Sequence, residues 1–177
     1  LFAAIIAYGG KAHSRDLMPS AQEGSLEGPL NRLAGGNINI LADGDPHVAT
    51  EIDLADCPDL GPILFTLGCF CSGETVIRNA GRLRLKESDR IDAMRDELQK
   101  MGARIDVEGD SVHIQGVALH APNAPLSGHN DHRIVMALAV LCASLGGTIR
   151  GAEAVSKSWP DFFPALEALG LRVDIQP

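Results

Sequence analysis

Aromatic residues and long apolar runs are what this sequence has least of. Phe, Trp and Tyr make up 4% of its 177 residues although 45% are hydrophobic, so the core has to be built from Leu, Ile, Val, Ala and Met. No stretch reaches the ~18 uninterrupted apolar residues of a membrane-spanning helix, and residues 1–8 lack the basic start of a signal peptide. We therefore expect one globular domain that lies in the cytoplasm and not in a membrane.

Positive charge is also scarce. Lys and Arg number 15 against 23 Asp and Glu, which leaves a formal net charge of −8. Sequence-independent nucleic-acid binding depends on clustered positive charge, so we expect no nucleic-acid partner. A small anionic ligand stays open, because the local charge of a pocket can oppose that of the whole chain.

The signatures of metal and cofactor sites are missing from the sequence. Of its four cysteines, the three that lie close together (Cys57, Cys69 and Cys71) have no His at zinc-ligand spacing. There is no Gly-x-Gly-x-x-Gly, no phosphate-binding loop and no Ser–His–Asp arrangement. We expect reduced, partly buried thiols, and neither a metal nor a cofactor.

The same order of segments occurs three times, in units of roughly residues 1–50, 51–118 and 119–177. Each unit has an apolar segment, a glycine, a second helix, and a closing strand that follows a Leu and a Gly. The closing segments of the last two units, residues 98–107 and 166–175, match position by position in residue type, and their alternation predicts strands. This repetition indicates one supersecondary unit used three times within a single domain.

The helices of the units are predicted to differ in exposure. Residues 134–145 are apolar on every face, which indicates burial all round. The helix over residues 91–101 carries charged side chains on one face and apolar ones on the other. Its apolar face consists of Ile91, Met94, Leu98 and Met101. One buried and one half-exposed helix per unit predict an α/β fold that packs three units with helices inside strands.

The densest group of charges is the segment over residues 82–90, Arg-Leu-Arg-Leu-Lys-Glu-Ser-Asp-Arg. Ser88 or Asp89 would cap the helix that follows. Four basic residues then lie beside the positive end of the helix dipole, where cations are unfavourable but an anion would meet free N–H groups. A solvated helix start and an anion site both stay open on spacing alone.

Residues 129–133, His-Asn-Asp-His-Arg, directly precede the apolar helix. Asn130 suits an N-cap and Asp131 a first turn. Arg133, at the mouth of a buried helix, presents a planar fork that fits a carboxylate or a phosphate. The two histidines and the aspartate fit no common zinc pattern.

Lys157 and Asp59 also precede helices. Lys157 comes before a helix start marked by Ser158 and Pro160, at the place within its unit that Lys86 has in the unit before. Asp59 follows a proline and precedes an apolar helix, so it either caps that helix or serves a site.

These loops are expected to converge on one face of the domain. They would form a basic patch that holds two carboxylates, and its members are Lys86, Arg90, Arg133 and Lys157 with Asp59 and Glu87. A carboxylate among cations stays ionised and can act as a base, and a neighbouring ammonium can return the proton. The patch predicts proton transfer without redox, on a substrate with several phosphates or carboxylates.

Two of these segments closely resemble signatures of the 5-enolpyruvylshikimate-3-phosphate synthase family. They are residues 85–91, Leu-Lys-Glu-Ser-Asp-Arg-Ile, and residues 130–137, Asn-Asp-His-Arg-Ile-Val-Met-Ala. Pro58-Asp59 and residues 157–162 resemble two more, in the same order. The resemblance implies an inside-out α/β prism of three β-α-β-α-β-β units, with helices inside and sheets outside.

The resemblance also implies a reaction. It is transfer of the enolpyruvyl group of phosphoenolpyruvate to the 5-hydroxyl of shikimate 3-phosphate, with release of phosphate, in aromatic amino-acid synthesis. By similarity, Asp59 is the base for the hydroxyl proton, Glu87 handles the proton at the methylene carbon, and Lys157 contacts phosphoenolpyruvate and moves a proton. The implied substrate-binding residues are Lys86 and Arg82 for shikimate 3-phosphate and Arg90 and Arg133 for the phosphoenolpyruvate carboxylate, with His132 beside them.

The sequence departs from the family in length. Family enzymes are more than twice as long, and their other domain, with its own Lys, Arg and Ser–Ser–Gln phosphate binders, has no counterpart here. Because Leu1 already lies inside an apolar segment, we expect a C-terminal domain that works with a separate N-terminal domain. Two alternatives stay open: a UDP-N-acetylglucosamine enolpyruvyl transferase domain, and an anion-binding or complementing domain without turnover.

Overall fold

The structure, a computed structural model, describes residues 51–176, and the first predicted unit, residues 1–50, lies outside them. The strands are β1 (Glu51–Asp53), β2 (Glu74–Arg78), β3 (Arg104–Glu108), β4 (Ser111–Gln115), β5 (Leu126–Ser127) and β6 (Ile149–Arg150). The α-helices are α1 (Gly61–Gly68), α2 (Arg90–Gln99), α3 (His132–Leu145) and α4 (Phe162–Ala168). Short 3-10 helices cover Pro58–Leu60, Ala80–Leu85 and Ala152–Lys157.

The first described unit has the order β-α-β-α-β-β that the family resemblance implies. Its sheet has the strand order β1-β2-β4-β3. β1 and β2 are parallel, with Ile52 opposite Ile77, whereas β4 is antiparallel to both β2 and β3. A parallel pair needs a crossover connection, and α1 supplies it.

The second described unit repeats the first four of these elements. β5 and β6 are parallel, with Leu126 opposite Ile149, and α3 connects them. The predicted closing strand is wrong here, because residues 171–176 have no regular secondary structure. In the first described unit, β3 pairs with β4, which lies between β3 and β2. In the second, residues 51–176 contain no strand on the free side of β6 with which a closing strand could pair.

The helices lie inside and the strands outside, as predicted. α1, α2 and α3 contact one another, and α1 and the first ten residues of α3 are mostly buried. The burial predicted for all of residues 134–145 is wrong at the end of α3, where Ala143 and Ser144 are exposed. The strands alternate between buried and exposed residues, so one face of the sheet covers the helices. The apolar face predicted for α2 is fully buried. Within residues 51–176 no helix has the length and apolar character needed to cross a membrane.

Candidate active site

The starts of three helices meet at one end of the described domain. Asp59 lies in the 3-10 turn before α1, Glu87 and Arg90 lie at the start of α2, and His132 and Arg133 are the first residues of α3. Each of these helices follows a strand of its unit, and the loops before them lie close enough to form ion pairs with one another. Helix N-termini favour anions because their N–H groups are free.

A close contact between two of these loops places Asp59 beside Lys86. A Cβ atom at Gly61, the first residue of α1, would lie 2.6 Å from Cδ1 of Leu83, so a larger residue at this position would force the Leu83 side chain to move. In the same pair of loops, the Asp59 Oδ1 atom lies 3.1 Å from the Lys86 Nζ atom.

Arg90 is at the centre of the site. Its side chain is 1% exposed, and all three guanidinium nitrogens face carboxylates. Nε donates to Asp131 Oδ2 at 2.8 Å and Nη2 to Asp131 Oδ1 at 3.2 Å. Nη1 donates to Asp59 Oδ1 at 3.1 Å, and Nη2 to Glu87 Oε2 at 2.6 Å. The guanidinium therefore joins the three loops through paired charge-assisted hydrogen bonds.

Asp131 is the fully buried partner of this arginine. It also caps α3, accepting from the Arg133 backbone N–H at 2.9 Å, and accepts from the Ser88 hydroxyl at 2.9 Å. Burial disfavours its charge, but hydrogen bonds from Arg90, Arg133 and Ser88 outweigh burial and lower the pKa of Asp131. It stays ionised at neutral pH.

The pKa of Asp59 is lowered in the same way. Burial raises it, but the Lys86 ammonium and the Arg133 and Arg90 guanidinium groups outweigh burial. Arg133 Nη2 lies 3.5 Å from Asp59 Oδ2. A base at this position is ionised at neutral pH, and neighbouring cations are available to stabilise it.

His132 and Arg133 keep hydrogen-bonding atoms without a partner among the described residues. These are the buried Nδ1 of His132 and Nε of Arg133. His132 Nδ1 lies 3.8 Å from Glu87 Oε1, beyond hydrogen-bond distance. Burial lowers the pKa of His132, Glu87 opposes this effect and Arg133 adds to it. The imidazole is therefore neutral at pH 7.

Lys157 reaches the same end of the domain through Asn130. Its Nζ donates to the Asn130 carbonyl oxygen at 2.6 Å and to the side-chain oxygen at 2.7 Å. Arg82 donates instead to the Ala55 carbonyl oxygen at 3.1 Å, so among residues 51–176 it contacts the loop after β1 and not the carboxylates. Of the predicted residues, the structure joins Asp59, Lys86, Glu87, Arg90 and Arg133 through ion pairs. His132 lies beside Glu87 without a hydrogen bond to it, Lys157 is joined to Asn130, and Arg82 contacts Ala55.

The role of Asp131 as the buried partner of Arg90 was not predicted from the sequence. Asn130 was expected to be the N-cap, but Asp131 is the cap, and Asn130 has a left-handed backbone with φ 54°. The sequence contained a signal for the pairing of Arg90 with Asp131: a buried arginine at the start of a helix with an apolar face needs a carboxylate nearby. The start of α4 also differs: Asp161 occupies the N-cap position that Ser158 was expected to have. No group of three metal-ligating side chains occurs in residues 51–176.

Helices enclosed by sheets, with cations and carboxylates gathered at one end, define the fold class of the enolpyruvyl transferases. The enolpyruvyl transferase NikO from Streptomyces tendae matches the structure with a TM-score of 0.57 over 73% of this chain and 29% of that one, at 22% identity. An EPSP synthase from Acinetobacter baumannii matches with a TM-score of 0.68 at 28% identity, over 75% of this chain and 32% of that one.

The chain belongs to the EPSP synthase (3-phosphoshikimate 1-carboxyvinyltransferase) family, whose profile matches residues 33–166. It is 44% identical to the 3-phosphoshikimate 1-carboxyvinyltransferase of Halorubrum lacusprofundi, over 70% of this chain and 28% of that protein. It is 38% identical to that of Methanocella arvoryzae, over 98% of this chain and 43% of that protein. The chain thus spans less than half the length of these relatives.

Proposed function

We propose that the chain supplies one half of the active site for transfer of the enolpyruvyl group from phosphoenolpyruvate to the 5-hydroxyl of shikimate 3-phosphate. The observation that carries the proposal is the arrangement of Lys86, Arg90 and Arg133 around Asp59, in a chain of the EPSP synthase family. Four thiols without disulfides support a cytoplasmic location.

The substrates are proposed to bind by exchange of charge partners. Arg133 is 35% exposed and binds the carboxylate of phosphoenolpyruvate with its planar fork. Nη1 and Nη2 of Arg90, which donate to Asp59 and Glu87 in the free chain, bind the same carboxylate of phosphoenolpyruvate together with Arg133. The substrate carboxylate then takes the place of Asp59 and Glu87 as the acceptor. Lys86 binds shikimate 3-phosphate, with Arg82 at the margin of the site, and His132 borders the carboxylate clamp.

Asp59 and Glu87 are proposed to move the protons. Asp59 takes the proton of the 5-hydroxyl as its oxygen bonds to the substituted carbon of phosphoenolpyruvate, and Glu87 delivers a proton to the methylene carbon. The bond from the substituted carbon to the phosphate oxygen then breaks, and Glu87 takes the proton back from the methyl group. Lys157 protonates the departing phosphate. The enol double bond is restored, so no electrons are gained or lost.

The charge of the site supports the proposal that a second half takes part. Its cations are Lys86, Arg90, Arg133 and Lys157, and its carboxylates are Asp59, Glu87 and Asp131. With His132 neutral, the site carries one net positive charge, whereas the two substrates bring two phosphates and two carboxylates. A separate N-terminal domain is proposed to supply the remaining cations and, by closing, to exclude water.

Calorimetric titration tests the binding part of the proposal. We expect the chain to bind phosphoenolpyruvate weakly, more tightly in the presence of shikimate 3-phosphate, and less tightly as salt increases. We expect Arg133→Ala to abolish this binding, and Arg104→Ala, on an exposed strand position, to leave it unchanged. Binding of UDP-N-acetylglucosamine in place of shikimate 3-phosphate would contradict the proposal.

A further inference from the structure

Glu97 is a buried carboxylate that the proposed chemistry does not use. It lies on α2 with its side chain 3% exposed. Its Oε2 accepts from the Ser127 backbone N–H at 2.8 Å and from Lys100 Nζ at 2.7 Å. Its Oε1 lies 2.9 Å from His129 Nε2, which carries the proton because a carboxylate can only accept. Glu97 thus ties α2 to the segment that leads into α3.

This carboxylate stays charged although it is buried. Burial raises the pKa of Glu97, but hydrogen bonds from Lys100, His129 and Ser127 outweigh burial and hold that pKa below its ordinary value. A buried, ionised group with three donors is a strong local constraint.

Helix α2 holds the segment of residues 127–131 at two points. Glu97 holds its start, at Ser127 and His129, and Arg90 holds its end, at Asp131. Arg90 and Glu97 are seven residues apart, which is about two turns or ~10 Å along one face of a helix. The segment therefore lies along α2 between two charge-assisted contacts.

The backbone between these contacts has an unfavourable conformation. His129 and Asn130 are left-handed, with φ 49° and 54°, a conformation that residues other than glycine adopt rarely, although His and Asn adopt it more often than most. Gly128 is closely packed, because a Cβ atom there would lie 2.9 Å from the Gly151 carbonyl oxygen. The contacts of Glu97 and Arg90 lie on either side of this turn, and the turn sets the Asn130 oxygens that hold Lys157.

We propose that Glu97 is a positioning residue, which fixes Ser127 and His129 and thereby sets the left-handed turn that places Lys157 and the start of α3. The inference rests on the proposed function for what Lys157 and Arg133 bind. The coupling of Glu97 to the turn rests on the contacts of the segment alone.

The test compares Glu97→Ala and Glu97→Gln with the control Lys100→Met. The control removes another hydrogen-bond partner of the Glu97 carboxylate, one that lies outside residues 127–131. Nuclear magnetic resonance of the chain without ligand reports the Asn130 amide and the Lys157 ammonium. We expect both signals to shift in Glu97→Ala, to shift less in Glu97→Gln because its amide oxygen can still accept from Ser127, and to stay in place in Lys100→Met. His129→Leu, which removes one of the two contacts, replaces Glu97→Ala if that variant does not fold.

Affinity for phosphoenolpyruvate supplies the second measurement. Glu97→Ala should weaken binding of phosphoenolpyruvate about tenfold. Lys100→Met and the core variant Ile105→Val should also lose stability, but their affinity for phosphoenolpyruvate should stay within about twofold of that of the unchanged chain. Unchanged Asn130 and Lys157 signals in the Glu97 variants would overturn the inference, as would an equal loss of affinity in Ile105→Val. Shifted signals in a chain that binds no phosphoenolpyruvate would support the inference and defeat the proposed function.

Discussion

Arg90 and Asp131 form a buried pair in which both carboxylate oxygens accept from one guanidinium, at 2.8 Å and 3.2 Å, across 41 residues of sequence. Arg90 also forms ion pairs with Asp59 and Glu87. Asp131 therefore holds in place the guanidinium that the other two carboxylates contact. Because neither member is exposed to solvent, each depends on the other for compensation of its charge.

The first prediction concerns the stability that this pair provides. Asp131→Ala leaves the Arg90 charge buried with fewer partners, so we expect the free energy of unfolding to fall by about 3–5 kcal/mol. Urea denaturation measures the change. The matched control is Glu51→Gln, which breaks the ion pair with Arg78 at a position where both side chains are more than half exposed, and it should cost less than about 1 kcal/mol. Equal losses in the two variants would contradict the prediction.

The second prediction separates two arginines of the same site. Arg90→Lys cannot reproduce the paired contacts with Asp131, so it should lower both the stability and the affinity for phosphoenolpyruvate. Arg133→Lys should lower the affinity by about tenfold and leave the stability within about 0.5 kcal/mol, because this side chain is partly exposed. Melting curves and titrations measure the two effects, with Arg104→Lys as the control. An unstable Arg133→Lys or a stable Arg90→Lys would be inconsistent with the geometry.

The third prediction is that stability decreases as the pH falls. The pKa values of Asp59, Glu97 and Asp131 are lowered in the folded chain, so the unfolded chain takes up protons first, below the ordinary carboxyl values of about 4. The stability that these groups provide is therefore complete above those values and is lost as the pH falls toward the folded values. The lowered pKa of His132 adds a smaller loss that begins below about 6.5.

Urea denaturation between pH 7 and pH 3 measures this dependence. Asp131→Asn should be less stable at pH 7 and should lose less stability on acidification than the unchanged chain, because one of the groups that takes up a proton is gone. A stability that is constant or rises toward pH 3 would show that these carboxylates are not held ionised.

The fourth prediction concerns the thiols. Burial raises the pKa of Cys69 to about 12 and that of Cys142 to about 11. The thiolate is the reactive form, so alkylation by iodoacetamide at pH 8 should be very slow at both positions in the folded chain and rapid in guanidinium. Mass spectrometry of the digested chain assigns each site. Rapid alkylation of Cys69 under native conditions would contradict its burial.

Local patterns were sufficient to predict the elements that bury apolar side chains. The buried face of α2, with Ile91 and Leu98, follows from helical periodicity. The burial of the start of α3 follows from its being apolar on every face, although the same reasoning failed at Ala143 and Ser144, which are exposed. The strand predicted over residues 171–175 failed because alternation specifies only which face is apolar, whereas a strand also needs a hydrogen-bonding neighbour.

The members of the site were predicted better than its connections. Residue type and position before a helix were enough to predict that the loops of Asp59, Glu87 and Arg133 converge, whereas their individual roles came from the resemblance to the family. The pairing of Arg90 with Asp131, and of Glu97 with His129, depends on which loops the tertiary fold brings together. No pattern within a single segment contains that information, and the left-handed backbone at Asn130 shifted the helix cap by one residue.

The most direct test of the account is release of phosphate from phosphoenolpyruvate and shikimate 3-phosphate by this chain, mixed with the N-terminal part of the Methanocella arvoryzae relative. We expect release only in the mixture, and a decrease of at least about a hundredfold in Asp59→Asn and in Glu87→Gln, with Asp106→Asn on an exposed strand as the unaffected control. An associated, folded mixture that releases no phosphate, or one whose rate is unchanged by Asp59→Asn, would contradict the account.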